Sequence, residues 1–363
     1  MFRKKNVMND RIPTVDVVTV TWNHKKFMQP LFEGLQRVDY PHDAFTIHFV
    51  DNASSDGSAD EIRRLMSTMD NLPKIELHEP GSNLGFAGGN NLVMKKSTAD
   101  YLFLLNPDAI FEQETLREAV AVAEANPNAA SVQPVLVLAQ DPGTINSIGN
   151  DIHFAGFGWS RGYQRPVADA PKEVTPIAYA SGAGVLIRTD VLRKIRYFDE
   201  TLFAYHEDLD LGWRMLLAGY DNVLAPKSIL RHHYEFSRSI AKWYWMERNR
   251  FIVLWKHERL ATLLLSLPAL IAIEAATWLF AWKGGWLKEK SKATSWFLKA
   301  SSWKYLFQSR RETQKLRKQS DRNILKRFVS GISYQEVSSP FMEVVANPLM
   351  HYYFMFLKLI VRW

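Results

Sequence analysis

The chain has no cysteine. That excludes a disulfide framework and every thiolate metal site, and it fits a reducing compartment. There is no internal repeat and no low-complexity tract, so solenoid and disordered architectures are excluded. The first nine residues, Met1 to Asn9, are basic but carry no apolar core of the signal-peptide kind, so export is not expected. Neither Gly-x-Gly-x-x-Gly nor Gly-Lys-Ser/Thr occurs where a nucleotide-binding turn would need it, which argues against a nicotinamide oxidoreductase and against a P-loop enzyme. Acids are scarce in one region. Lys283 to Arg327 holds 14 Lys/Arg and three acids (Glu289, Glu312, Asp321), so this segment alone is more basic than the chain's net charge of +7. The basic character is therefore local. It points to an anionic partner at one surface and not to general nucleic-acid binding.

What is present reads as α/β. At 363 residues with 47% apolar and 23% charged residues, the chain has the composition of a globular protein with room for an appendage. Tyr101 to Leu105 is a five-residue apolar run with the length of a strand buried on both faces. It stops at Asn106-Pro107-Asp108, because proline cannot donate to a sheet ladder. Val15 to Thr21 and Phe45 to Val50 are further strands, with helical patterns after each. Ile75 to His78, Ser131 to Leu138, Val185 to Arg188 and Asn222 to Ala225 complete the strands expected from the pattern. Strands alternating with helices predict a mostly parallel, doubly wound sheet. The stretch 143–176 is rich in Gly, Pro and aromatics without a period, and is expected to be an ordered loop or a small insertion where specificity residues sit.

In such a sheet, ligands bind at the carboxyl ends of the strands. Three groups of residues end up there. Asp108 after the Tyr101 strand is placed to hold a hard divalent cation, although Asn-Pro-Asp by itself reads first as a turn. Asp51 and Asn52 after the second strand suit a ribose or a pyrimidine imide, or equally an Asx turn. The glycine-rich stretch from Asn83 to Asn91 lets backbone approach a nucleotide closely. Further on, His206-Glu-Asp-Leu-Asp210 is the densest acid cluster. On a helix, Glu207, Asp210 and Arg214 share one face and Asp208 points elsewhere. An acid in a partly dry crevice serves as a general base; the same residues also make an ordinary acidic helix start with an Asp210–Arg214 pair. His232 and His233 are both able to bind metal, and spacing does not choose between them.

Set in order, six pieces of this sequence resemble glycosyltransferase family 2, within its bacterial rhamnosyltransferase-like branch. They are Val18 to Asn23, Val50 to Gly57, Asn83 to Asn91, Leu104 to Asp108, Ser181 to Ala183 and His206 to Arg214. The resemblance covers roughly residues 13 to 257. It implies a GT-A fold (Rossmann-like, a mostly parallel sheet flanked by helices), a nucleotide-sugar donor, a divalent cation such as Mg²⁺ or Mn²⁺, and inversion at the sugar. Carried over by residue, it implies that Thr21, Asn23, Asp51, Asn83, Phe86, Gly89, Asn90 and Asn106 hold the donor. Asp108 and His232 hold the metal. Asn106 stands where the family's metal motif begins with Asp, so one carboxylate is missing. Asp208 is the implied catalytic base with Glu207 beside it, and Gly182, Ala183, Asp210 and Arg214 are the implied acceptor side. Rhamnose from dTDP-rhamnose is the first donor to expect, and UDP-galactofuranose, another acceptor or a catalytically silent scaffold are the rivals.

Leu260 to Trp282 is 23 residues long with a single acid, Glu274, and Pro268 inside. It has the length of a span. A single span would put the basic segment on the far side, against the positive-inside tendency. In-plane or re-entrant helices are expected instead, with Lys/Arg on anionic headgroups and Trp at the interface; a soluble core or homodimer helix is the alternative. The expected organisation is a tail over 1–12, a catalytic domain over 13–257 and a basic, apolar helical region over 258–363 associating with the cytoplasmic face of a membrane. A lipid-linked glycan is the acceptor this arrangement suits.

Overall fold

The computed structural model describes residues 11–234, 240–332 and 342–363. Ser237, whose place five residues after His232 is part of the resemblance to family 2, and Phe341, the first residue of a second apolar stretch that runs to Val361, lie outside these residues, as does most of the N-terminal tail. The first half of the chain alternates: β1 (Val15–Thr21), α1 (Lys25–Gln36), β2 (Phe45–Asp51), α2 (Ser58–Thr68), β3 (Lys74–His78), α3 (Gly85–Met94), β4 (Tyr101–Leu105), β5 (Ala109–Phe111), α4 (Thr115–Ala125) and β6 (Ala129–Leu138). β4 and β6 are buried at every position, as continuous apolar runs require when both sheet faces are covered.

The stretch 143–176 is not one loop. It contains most of β7 (Asp141–Ser147), the hairpin of β8 (Asn150–Ile152) and β9 (Gly158–Ser160), and the start of β10 (Thr175–Ile177). Three-residue strands are too short to show a period, which is why the sequence reads as irregular there. Next come β11 (Gly184–Arg188), α5 (Thr189–Ile195), α6 (Glu207–Leu217) and β12 (Asp221–His232). β12 is far longer than the expected Asn222 to Ala225. A register shift between Ala225 and Ile229 interrupts its pattern, and the strand resumes to carry His232 at its end.

Ten of the strands form one sheet in the order β10-β12-β6-β11-β4-β1-β2-β3, with β5 paired to β12 and β7 to β6, and β8 and β9 pair apart from it. β4, β1, β2 and β3 run parallel. β6 and β12 are parallel to each other as well, and β11 is antiparallel to both β4 and β6, so the sheet is mixed. One face packs on α1, α2 and α4 through residues such as Phe32, Phe49, Phe103 and Leu116. The other packs on α3, α5 and α6 through Val50, Leu104, Val191 and Leu211.

The remainder is helical: α7 (Ala241–His257), α8 (Leu260–Lys283), α9 (Leu287–Trp296), α10 (Ala300–Lys315), α11 (Asp321–Leu325) and α12 (Asn347–Ile360). These helices join the catalytic half through a shared apolar cluster that includes Trp213, Leu254, Phe328 and Phe354. α8 is long and apolar enough to cross a membrane, and only 6% of its most apolar window is buried. Leu260, Leu264, Leu267 and Ile271 recur at helical spacing and are all exposed, so α8 is not a core helix within this chain. α12 adds Leu349, Tyr352, Met355, Phe356 and Leu359 to the exposed apolar surface. It is tied to α8 by the Tyr353 hydroxyl, which donates to the Leu265 carbonyl at 2.5 Å.

Candidate active site

β4 ends at Leu105, and the chain turns through Asn106-Pro107 to bring Asp108 to the carboxyl edge of the sheet. Asn106 is pinned there, its N–H donating to the Ala183 carbonyl at 3.0 Å. The backbone N–H of His233 donates to the Asp108 carbonyl at 2.9 Å, so the end of β12 is stitched to this turn. His232 Nε2 then lies 3.3 Å from Asp108 Oδ1. Asn146 on β7 presents Oδ1 to His232 Nδ1 at 2.9 Å. Nε2 is thus the ring nitrogen turned to the carboxylate. Burial alone would raise the Asp108 carboxyl, but its hydrogen bond and charge contact with His232, and then His24, outweigh it and hold it below the usual range. One carboxylate and one imidazole side by side at the sheet edge are a donor set that fits a divalent ion.

His24 was not singled out from the sequence. It follows Asn23 directly, and it faces Asp108 because the β1–α1 turn folds toward the same crevice; burial lowers its own pKa despite Asp108 and Asp56 nearby. In that turn Asn23 adopts φ 61° and accepts the Ser55 N–H at 2.8 Å. Thr21 and Asp51 end adjacent parallel strands, in register with each other. Thr21 Oγ1 and Asp51 Oδ1 are both buried and unpartnered, as expected of groups that meet a ligand. Asn83 Oδ1 caps the Gly85 N–H at 2.8 Å. Asn90 donates to the Phe86 carbonyl at 2.9 Å and keeps a buried Oδ1 free. Gly89 is a packing position, since a Cβ there would sit 2.7 Å from Val20 and 3.2 Å from Asn52.

Asp208 stands in the first turn of α6. Its Oδ2 accepts the Gly182 N–H at 3.2 Å, and its Oδ1 accepts the Leu209 N–H at 2.7 Å. A side chain at Gly182 would press on the Phe86 ring at 3.0 Å, so this glycine lets the acid, the donor-side aromatic and the β11 entry, with Ala183, meet closely. Burial raises Asp208 above the ordinary carboxylate range, with its two backbone N–H bonds partly offsetting the effect. Burial, and then the neighbouring Asp208 charge, raise Glu207 well above its usual value. A carboxyl with a raised pKa is a more effective proton acceptor near neutral pH than an ordinary one.

Asp210 and Arg214, expected on the acceptor side, are buried in an ion network instead. Arg214 Nε donates to Asp210 Oδ2 at 2.9 Å, and Lys256 Nζ lies 2.7 Å from Asp210 Oδ1 and 2.7 Å from Asp199. Burial would raise Asp210; Lys256 and then Arg214 overcome it and keep the acid strongly ionised. The contact of Asp210 with Lys256 fastens α6 to α7.

The loop before α6 is strained. Phe203, Tyr205 and His206 have φ of 64°, 65° and 69°. Such conformations cost about 1–3 kcal/mol each and persist only where neighbours enforce them. Asn249 of α7 does so: its fully buried Nδ2 lies 2.8, 3.1 and 2.7 Å from the carbonyls of Leu202, Ala204 and Tyr205. Arg248 Nε donates to Asn249 Oδ1 at 3.0 Å and stacks over Trp245, whose ring stacks on Phe203 at 4.7 Å. The Phe203 carbonyl accepts the Ala87 N–H at 3.1 Å, linking this loop to α3 on the donor side. Sequence reading missed Asn249, because an Arg-Asn pair inside a helix carries no local signal.

Comparison with known proteins fits this geometry. The model of glycosyl transferase family 2 matches residues 16–196. The chain belongs to this family. The match runs from β1 through α5 and stops before Asp208, His232 and Asn249. An N-acetylglucosaminyl-diphospho-decaprenol L-rhamnosyltransferase of Mycobacterium tuberculosis is 24% identical over 254 residues, which is 62% of this chain and 77% of the relative. This likeness puts the chain in the rhamnosyltransferase-like branch of family 2. The low-salt glycan biosynthesis hexosyltransferase Agl10 of Haloferax volcanii is 25% identical over 169 residues, covering 46% of this chain and 51% of its own. Among solved structures, the mannosyltransferase PcManGT from Pyrobaculum calidifontis, in complex with GDP-Man and Mn²⁺, matches with TM-score 0.52 at 16% identity over 85% of this chain and 86% of that one. Staphylococcus aureus TarS in complex with UDP matches with TM-score 0.51 at 15% identity over 95% and 88%. The family 2 chain thus has a GT-A fold, and it is a glycosyltransferase.

Proposed function

We propose that this glycosyltransferase moves a sugar, with inversion, from a nucleotide-sugar donor to a hydroxyl of a lipid-linked glycan at the cytoplasmic face of a membrane. The observation that carries the reading is Asp208, a buried acid with a raised pKa held by the Gly182 N–H against Phe86. The acceptor oxygen attacks the anomeric carbon and loses its proton to Asp208. The bond from that carbon to the diphosphate oxygen breaks, and its electron pair leaves with the nucleoside diphosphate. One base suffices, because the leaving group is already good and the transition state is oxocarbenium-like. Glu207 stands beside the base, its own carboxyl pushed well up by burial and then by the Asp208 charge.

Thr21, Asn23 and Asp51 hold the nucleoside, and Asn83, Phe86 and Asn90 line its base and ribose. Gly89 lets α3 close onto β1, and Asn106 sets the turn. Asp108 and His232 hold Mg²⁺ or Mn²⁺, which when bound supplies positive charge to the diphosphate. Gly182 and Ala183 border the acceptor, while Asp210 and Arg214 act at one remove by fixing α6. The catalytic unit spans 13–257. The region 258–363 lies on the membrane through the exposed faces of α8 and α12, with Lys288, Lys292, Lys299 and Lys304 among the exposed cations near them. The M. tuberculosis relative's named lipid-linked substrate supports this acceptor class and favours rhamnose as the sugar.

The test is transfer from dTDP-rhamnose, UDP-galactofuranose and GDP- and UDP-hexoses to a polyprenyl diphosphate sugar, with and without Mn²⁺. Metal-stimulated transfer from one donor is expected. Binding of donors with no transfer to any lipid-linked acceptor would sink the proposed reaction.

A further inference from the structure

β2 and β3 carry a cluster that the reaction does not use. Parallel register sets His48 opposite Glu76, and His78 projects from the same face two residues on. His48 Nδ1 is 3.1 Å from His78 Nε2. Glu76 Oε2 is 3.4 Å from His48 Nδ1 and 3.9 Å from His78 Nε2. The point equidistant from the corners of a triangle with these sides lies about 2.0 Å from each, which is the length of a Zn–N or Zn–O bond. The three ligand atoms converge as if around an ion.

The surroundings support the same reading. Asp16 Oδ1 lies 3.4 Å from His48 Nε2, and Asp16 is itself held by the Ser97 hydroxyl at 2.6 Å. A carboxylate behind a histidine fixes the far nitrogen as the donor and turns the near lone pair inward, the usual arrangement behind a metal-bound imidazole. Lys74 takes the other Glu76 oxygen, Oε1, at 2.5 Å, so Oε2 is left to point at the histidines. The His78 and Glu76 side chains are 31% and 37% exposed, which gives an ion a path in and room for a water as fourth ligand.

We propose that His48, Glu76 and His78 form a binding site for a borderline divalent cation of the zinc type, separate from the donor site at Asp108. In the sheet order, β1 and β2 lie between β4, which ends beside Asp108, and β3, so the two sites are on the order of 10–15 Å apart across the sheet. The role is structural. β3 is an edge strand with one partner, and its end leads through Pro80 and Gly81 to Asn83 of the donor cradle. A cation here staples that edge to β2 and steadies the cradle.

The experiment uses the full-length protein stripped with chelator. Zn²⁺ affinity is measured by competition with a chromophoric chelator, and the ligand set by the visible absorption of bound Co²⁺. One tight site is expected in the wild type and in Asp108→Ala. His78→Ala should lose at least about a hundredfold in affinity together with the Co²⁺ spectrum, and Asp16→Asn about ten- to a hundredfold. Glu76→Gln, at an exposed position that keeps its volume, gives the same reading if His78→Ala does not fold. Zinc should raise the melting midpoint of wild type and Asp108→Ala but not of Glu76→Gln. Zinc binding that is absent, that vanishes with Asp108→Ala, or that persists unchanged in both His78→Ala and Glu76→Gln would overturn the proposal.

Discussion

His232 Nε2 faces Asp108 Oδ1 at 3.3 Å, although Asp108 stands in the turn after β4 and His232 at the far end of β12, on opposite sides of β6 and β11 in the chain's course. The pairing exists because β12 runs past its register shift and delivers His232 to the turn after β4. On the proposed reading, His232 stands in for the first acid of the metal motif, whose place Asn106 takes. Asp108→Ala should lower donor affinity at least about tenfold with Mn²⁺ present, a loss of about 1.4 kcal/mol. His232→Gln should weaken it less, and neither variant should matter much in chelator. Equal loss with and without metal, read by calorimetry, would contradict the cation role.

As the proposed base, Asp208 would act in its ionised form, so the rate should fall as pH drops through its raised pKa. The acidic limb of kcat/KM should therefore lie above the ordinary aspartate range. Asp208→Asn should cut kcat by about 10²–10⁴ and leave donor affinity nearly intact. Loss of donor binding in this variant would contradict the base assignment.

Glu207 gives a stability prediction with a definite sign. Its native pKa is raised by burial, so the native state holds the proton more tightly than the unfolded chain does. Its contribution to stability is therefore present at low pH and is lost as pH rises above the unfolded value. Glu207→Gln should raise the melting temperature at pH 8 relative to wild type, and the difference should shrink toward pH 4. A variant that is less stable than wild type at pH 8 and equal to it at pH 4 would show the sign to be wrong.

Asn249 is tested by kinetics. Asn249→Ala removes donors from three carbonyls of a strained loop and should cost about 2–4 kcal/mol of stability, at about 0.5–1.5 per hydrogen bond. It should also depress kcat more than donor affinity, because the loop sets Asp208. Val253→Ala, on the same helix and equally buried, should destabilise without that kcat loss. Matching kinetic profiles for the two variants would make Asn249 merely structural.

The membrane surface is best tested by point charges. Removing 258–363 would uncover Trp213 and the cluster it shares with Phe328 and Phe354, so a truncation would confuse unfolding with release. Leu264→Glu with Ile271→Glu changes only exposed positions. Burial of one such side chain is worth about 1.5–3 kcal/mol, so binding to anionic vesicles should fall at least about tenfold while the melting temperature holds. Unchanged sedimentation with vesicles would remove α8 from the interface.

The sequence by itself determined the strand and helix alternation of the first half, because apolar runs and turn residues are local and report directly on burial. It also determined that Asp51, Asp108 and Asp208 are acids next to strand or helix ends, since proline, glycine and Asn-rich turns mark those ends. It did not reveal the mixed sheet, for the direction of β11 depends on how the chain returns and not on its own residues. Nor did residue spacing separate His232 from His233, a choice that only the resemblance made, or show that Asp210 and Arg214 are matched by Lys256 in the interior. Those facts depend on which residues from distant elements meet. Partnered burial has no signature in the residue itself: the same carboxylate is a base, an ion-pair partner or a zinc ligand according to what the fold brings within a few ångströms.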